Sequence, residues 1–203
     1  MRKHLQMNRR IFMSRETEKP HFALSLGFEQ SLRRAVGSKY QVRIVLVDHF
    51  VDLPDVEAVV IPWGGGGLSC GIAAVLRQVA PRVKVYAAEV ETAAPLAASL
   101  AAGEPRQVEY RPSFVDGIGA KVVFANMFER ARGLLDGSLV ATLREAAAAM
   151  KLVAERNRVI VEGAAACAVA AALSGRAGSG KVVAIVSGGN IDLDKFSKLV
   201  AEA

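Results

Sequence analysis

The sequence predicts an α/β fold, a mostly parallel sheet flanked by helices, on three observations. From about Pro54 onward, short β-branched apolar runs alternate with segments whose apolar residues recur at helical spacing, the pattern of strands joined by crossover helices. Four consecutive glycines, Gly64-Gly65-Gly66-Gly67, stand where one strand run gives way to a helix run. A second glycine cluster, Ser187-Gly188-Gly189-Asn190, follows another buried-type run over 182–186.

The elements follow in order. Residues 1–14 lack clean periodicity, Lys19-Pro20 breaks any helix, and 28–36 suit a short one. Residues 42–47 read as a strand and 48–55 as a loop closed by Pro54. Strand 57–61, the glycine loop, helix 68–79 and strand 83–88 make one βαβ unit. Residues 93–102 form a helix that stops near Gly103. A loop through Pro105 and Pro112 carries Ser113-Phe114-Val115-Asp116-Gly117. Helix 128–135, short strand 139–143, Ala-rich helices 144–156 and 162–174, strand 182–186 and helix 194–203 complete the chain.

Composition narrows the function classes. With 203 residues, 52% of them hydrophobic, the chain is long enough and apolar enough for one buried core. Arg, Lys or Glu interrupts every apolar stretch before it reaches membrane-span length. The net charge of +6 is uneven. Residues 1–43 hold ten basic and three acidic side chains of the chain's 26 and 20, leaving sixteen against seventeen in the rest. That basic arm lacks aromatic interleaving and any nucleic-acid motif, so no nucleic-acid or membrane partner is expected. Glu16 and Glu18 count against an organelle presequence. Two cysteines, Cys70 and Cys167, fit a reduced, cytoplasmic protein better than a disulfide scaffold. No histidine follows His49, which removes Ser-His-Asp catalysis and His-ligated zinc from the body.

The tetraglycine loop carries the chemistry. Without Cβ atoms its N–H groups can all face one oxyanion. The helix that follows adds unpaired N–H groups and a positive dipole end, so a phosphate is the natural guest. A tight turn would need one or two glycines; four in a row cost too much chain entropy to be packing alone. Leu68-Ser69 replaces the Lys-Ser/Thr of a nucleotide loop. A dinucleotide fingerprint fails at Cys70, its third small position, although Glu89 falls about where a ribose-binding acid belongs.

The glycine loop, the Asp116-Gly117-Ile118-Gly119 segment, Glu162-Gly163-Ala164 and Ser187-Gly188-Gly189-Asn190-Ile191-Asp192 together resemble the threonine dehydratase and serine racemase group of pyridoxal-phosphate enzymes. The resemblance spans nearly three quarters of the chain. It implies a tryptophan synthase β-like domain (fold type II), truncated, over 44–203; residues 1–43 are read as a basic N-terminal extension, poorly ordered or outside the family pattern. It implies pyridoxal 5'-phosphate as cofactor and an ammonia-lyase reaction, β-elimination from threonine or serine to a 2-oxo acid and ammonia, in a homo-oligomer. Gly64, Gly65, Gly66 and Gly67, with Leu68, match the loop that cradles the cofactor phosphate. Ser187 matches the hydroxyl that meets the pyridine nitrogen, a neutral partner that favours elimination over transamination. Gly188 and Asn190 shape the same turn. Glu162 matches a carboxylate near the cofactor ring, and on its own reads equally as a first-turn acid on a helix dipole. Asp116 and Gly117 match a segment lining the substrate side. Some members hold a divalent cation; Glu89 and the Ala93 carbonyl match two of its ligands, but Pro95 stands where a further Asp is expected.

The front of the chain departs from the pattern. The family links its cofactor through a lysine in a Ser-x-Lys-x-Arg-Gly-type segment, and the nearest echo, Ser38-Lys39-Tyr40, has the wrong order and ending. The Ser/Thr- and Asn-rich turn that holds the substrate carboxylate has no match either. No catalytic residue is therefore identified. Two classes of function compete: an ammonia-lyase or racemase-like enzyme, and a remnant that binds cofactor or phosphate without turnover. A dinucleotide-binding oxidoreductase domain stands behind both.

Overall fold

The computed structural model describes the backbone of residues 10–13 and 22–25 and the whole of residues 55–203. Its strands are β1 (Arg10–Met13), β2 (Phe22–Ser25), β3 (Val56–Pro62), β4 (Lys84–Val90), β5 (Gly137–Ala141) and β6 (Lys181–Ile185). Its helices are α1 (Gly67–Val79), α2 (Pro95–Ala102), α3 (Ala125–Leu134), α4 (Leu143–Asn157), α5 (Gly163–Leu173) and α6 (Leu193–Glu202). The strand expected over 42–47 and the helix over 28–36 lie outside the described residues.

The six strands lie in the order β1-β2-β6-β3-β4-β5. Among the described strands only β1 and β2 pair antiparallel; β2 with β6, β6 with β3, β3 with β4 and β4 with β5 are parallel. The mostly parallel sheet is thus observed. The β1–β2 hairpin departs from the expectation of no element before residue 28. Ile11-Phe12-Met13 and Phe22-Ala23-Leu24 are too short to display a period, and the ladder partner that makes them strands is distant in sequence.

Burial follows the pleat. Ala58, Val60, Ala88, Val90, Val182 and Ala184 face a core shared with α4, α5 and Phe196 of α6. Val59, Ile61, Val85, Ala87 and Val183 face Ile72, Ala73 and Leu76 of α1, Leu96 of α2 and Phe128 of α3. Successive strand residues alternate between the two layers, as the two-residue period of a strand requires. Helix α5 is apolar all round, with residues 163–172 buried, and so sits centrally, packed on α4 and on four strands.

The order also sets where a ligand goes. From β3 the chain winds outward through β4 to β5, then returns through α4 and α5 to lay β6 on the other side of β3. The winding therefore reverses between β3 and β6, and the crevice beyond the carboxyl ends of strands at such a reversal is where open α/β sheets bind ligands. Both glycine clusters leave from those two ends.

Candidate cofactor site

The glycine loop is built over a buried tryptophan. Beyond β3, the Trp63 N–H donates to the Ala88 carbonyl at 2.9 Å, and the indole is 2% exposed. Gly66 is the N-cap of α1 with φ +84°, and a Cβ there would lie 2.5 Å from the Trp63 ring. That position admits only glycine. Gly65 and Gly67 are exposed, with nothing within 4 Å of where a Cβ would be. The backbone of the loop is therefore open to a guest on one side and packed on the other. Among the described residues no side chain caps α1, and its first turn holds no acid, which leaves its leading N–H groups available to an anion. The Ser69 hydroxyl donates to the Pro62 carbonyl at 2.9 Å and ties that turn to the strand end. A phosphate fits this cradle on charge and on space.

The other segments close around the same crevice. A Cβ at Gly64 would lie 3.4 Å from the Gly117 carbonyl, and one at Gly117 would lie 3.3 Å from Glu162 Oε1. Glu162 occupies the N-cap of α5 but makes no side-chain cap bond. Its carboxylate instead crosses to the second glycine cluster, where the Asn190 backbone N–H favours its charged form and a Cβ at Gly188 would lie 2.5 Å from Oε1. The Glu162 N–H donates back to the Gly188 carbonyl at 3.2 Å. Glu162 is thus the N-cap residue of α5 by position, while its carboxylate stands against Gly117 and Gly188. Ser187 is half-buried at the end of β6 in the same turn. The structure therefore brings Gly64, Gly117, Glu162, Gly188 and Asn190 together, with Ser187 and the open loop beside them.

Asp116 points to the rim, where the Lys195 ammonium lies 3.3 Å from its Oδ2. Lys195, Trp63 and Ser69 were not among the expected site residues. Nothing in sequence marks Lys195 as the partner of a residue 79 positions away.

Burial pushes the Glu162 carboxyl above the usual glutamate range, and the nearby Asp116 charge pushes the same way against the Asn190 N–H. The folded protein therefore binds that proton more tightly than the unfolded chain does. The stabilisation is fully present below the ordinary glutamate pKa and is lost as pH rises through the folded value. Glu162→Gln, which keeps the acceptor and loses the titration, should gain stability relative to the native chain between about pH 4 and about pH 8. Urea unfolding of both proteins at the two pH values checks it; a pH-independent difference would refute the assignment.

Glu89 and Ala93 lie at the carboxyl end of β4, and the residues present do not fit a cation. Both Glu89 oxygens already accept hydrogen bonds from protein groups, Pro95 brings no side-chain oxygen, and no group of three candidate metal-binding side chains occurs among the described residues. The same burial withdraws Glu89 from a ribose, and with it the support for a dinucleotide reading.

One family model, described as "Pyridoxal-phosphate dependent enzyme", matches residues 33–188. The chain belongs to this family. Pyridoxal phosphate is the family's cofactor. Among curated members, the L-threonine ammonia-lyase of Thermotoga maritima is 39% identical over 150 residues, 73% of this chain and 37% of that protein. The catabolic L-threonine dehydratase TdcB of Escherichia coli K12 is 36% identical over 152 residues, 73% of this chain and 46% of that protein. The chain thus spans less than half the length of either. Among solved structures, the processed threonine deaminase isoform 2 of Solanum lycopersicum superposes with a TM-score of 0.69 at 32% identity, over 77% of this chain and 45% of that one. Maize serine racemase gives 0.67 at 29%, over 77% and 51%. The fold is therefore that of the fold type II pyridoxal-phosphate enzymes.

Proposed function

We propose that this chain forms the phosphate-cradling part of a pyridoxal-phosphate-dependent ammonia-lyase that converts threonine or serine to a 2-oxo acid and ammonia. The observation that carries the reading is the convergence of the glycine loop, Gly117, Glu162 and the Ser187–Asn190 turn at the carboxyl ends of β3 and β6. In this reading the N–H groups of Gly64, Gly65, Gly66, Gly67 and Leu68 hold the cofactor phosphate, and Ser187 and Glu162 flank its ring. Bound there, the cofactor supplies an electron sink for the substrate Cα. Ser187 offers a neutral hydroxyl, and Asp116 and Gly117 border the substrate side. The serine racemase among the structural neighbours supports a racemase as the second reading.

The assembled enzyme is, on the same reading, a cytoplasmic homo-oligomer. That both cysteines are free and buried supports a reducing compartment. Among the described residues no helix is long and apolar enough to cross a membrane.

The test is Gly65→Val. Space around Gly65 is open, so the side chain enters the cradle without disturbing the fold. The native chain should bind pyridoxal phosphate and inorganic phosphate weakly by calorimetric titration. The variant should lose both while its Tm stays unchanged. Undiminished binding would place the ligand elsewhere.

A further inference from the structure

Glu89 is 1% exposed, the one charged side chain buried to that degree among the described residues. A carboxylate is buried at great cost unless its oxygens are satisfied, and here they are. Oε1 accepts the Leu96 N–H at 2.8 Å; Oε2 accepts the Ala97 N–H and the Ser138 hydroxyl, each at 2.7 Å. Leu96 and Ala97 are the second and third residues of α2, whose N–H groups an N-cap side chain ordinarily serves. The helix's own N-cap, Ala94, makes no such bond, and Pro95 at the first position has no N–H to satisfy. The cap comes instead from the neighbouring strand, whose Glu89 carboxyl oxygens take both N–H groups.

This arrangement competes directly with a metal. A divalent cation of the calcium type needs six or more oxygens, whereas both Glu89 oxygens are held by protein donors and the residue at 95 is a proline. Pro95 removes a ligand and at the same time presets the helix turn that recruits the acid. We infer that Glu89 is the remote N-cap of α2 in place of a cation ligand, and that the site is therefore organised independently of magnesium or calcium.

The consequence reaches the cofactor crevice through the loop after α2. The Ser99 hydroxyl donates to the Pro95 carbonyl at 2.6 Å and accepts the Arg106 N–H at 2.9 Å. The Arg111 N–H donates to the Thr92 carbonyl at 3.0 Å. The segment that carries Asp116 and Gly117 is thus fastened to the β4–α2 unit that Glu89 locks.

The experiment uses the full chain and needs no cofactor, so it stands or falls apart from the proposed function. Thermal melting and calorimetric titration are run with MgCl2, CaCl2 or MnCl2, and with EDTA. The expected result is no saturable heat and one Tm under all conditions. Glu89→Gln, which turns an amide donor toward N–H groups, and Glu89→Ala should both melt lower, with no recovery on adding cation. Saturable cation binding by the native chain that Glu89→Gln abolishes would overturn the inference. So would a Glu89→Ala protein that melts with the native one. If the Ala variant does not fold, the native titration and the Gln variant decide.

Discussion

Residues 1–203, incubated with pyridoxal phosphate and L-threonine or L-serine, should release no measurable 2-oxo acid. Elimination of a β-hydroxyl needs the substrate amine held, its Cα proton taken by a positioned base and its carboxylate fixed. The glycine loop and Ser187 supply none of these, and Ser38-Lys39-Tyr40 does not reproduce the family's lysine segment. A positioned base alone is worth about 10²–10⁴-fold in rate, and the loss of orientation removes more. Other lysines are poor substitutes. Lys151 Nζ donates to the Ala203 carbonyl at the chain end. Lys121 is exposed beyond the Asp116–Gly119 segment, and Lys195 is paired with Asp116. A 2-oxo acid assay with borohydride reduction settles the matter. Robust turnover with a single trapped lysine would refute the prediction and name the residue that replaces the missing one.

Gly66→Val should strongly destabilise the fold where Gly65→Val leaves it intact. At Gly66 the backbone is left-handed, φ +84°, and a Cβ would lie 2.5 Å and 2.9 Å from the Trp63 ring and 2.9 Å from Met127 Cε. A β-branched residue in that conformation costs about 1–3 kcal/mol. Forcing its side chain against a buried indole costs about another 1–3 kcal/mol. Against a typical stability of about 5–15 kcal/mol, the sum is a large fraction. Urea unfolding should show a lower midpoint for Gly66→Val and a native midpoint for Gly65→Val. Equal midpoints would mean that the Trp63 platform does not hold the loop.

Much of this was legible in the residues themselves. The order of elements from β3 to α6 follows from runs such as Ala58-Val59-Val60-Ile61, whose local pattern is complete. Sheet order was not, because β6 lies beside β3 through pairing between residues more than a hundred positions apart. The glycine clusters announced a cradle, yet only the fold shows that Gly66 is closed by Trp63 while Gly65 is open. Glu89 illustrates the limit most clearly. Its identity and spacing suit a ribose acid, a metal ligand or a cap equally, and the choice is made by two amide groups and Ser138, contributed by α2 and β5.

The central helix α5 gives the crevice an uneven timescale. Its residues 163–172 are buried against the sheet and α4, which places its amides among those expected to exchange most slowly with solvent. Glu162 stands at its head, half-buried, with its own N–H donating to the Gly188 carbonyl. The exposed Gly65 and Gly67 across the crevice have no side-chain packing of their own to slow them. One wall is thus packed into the core while the other is open to solvent. A guest would meet a fixed carboxylate and a loop whose entropy it must take away.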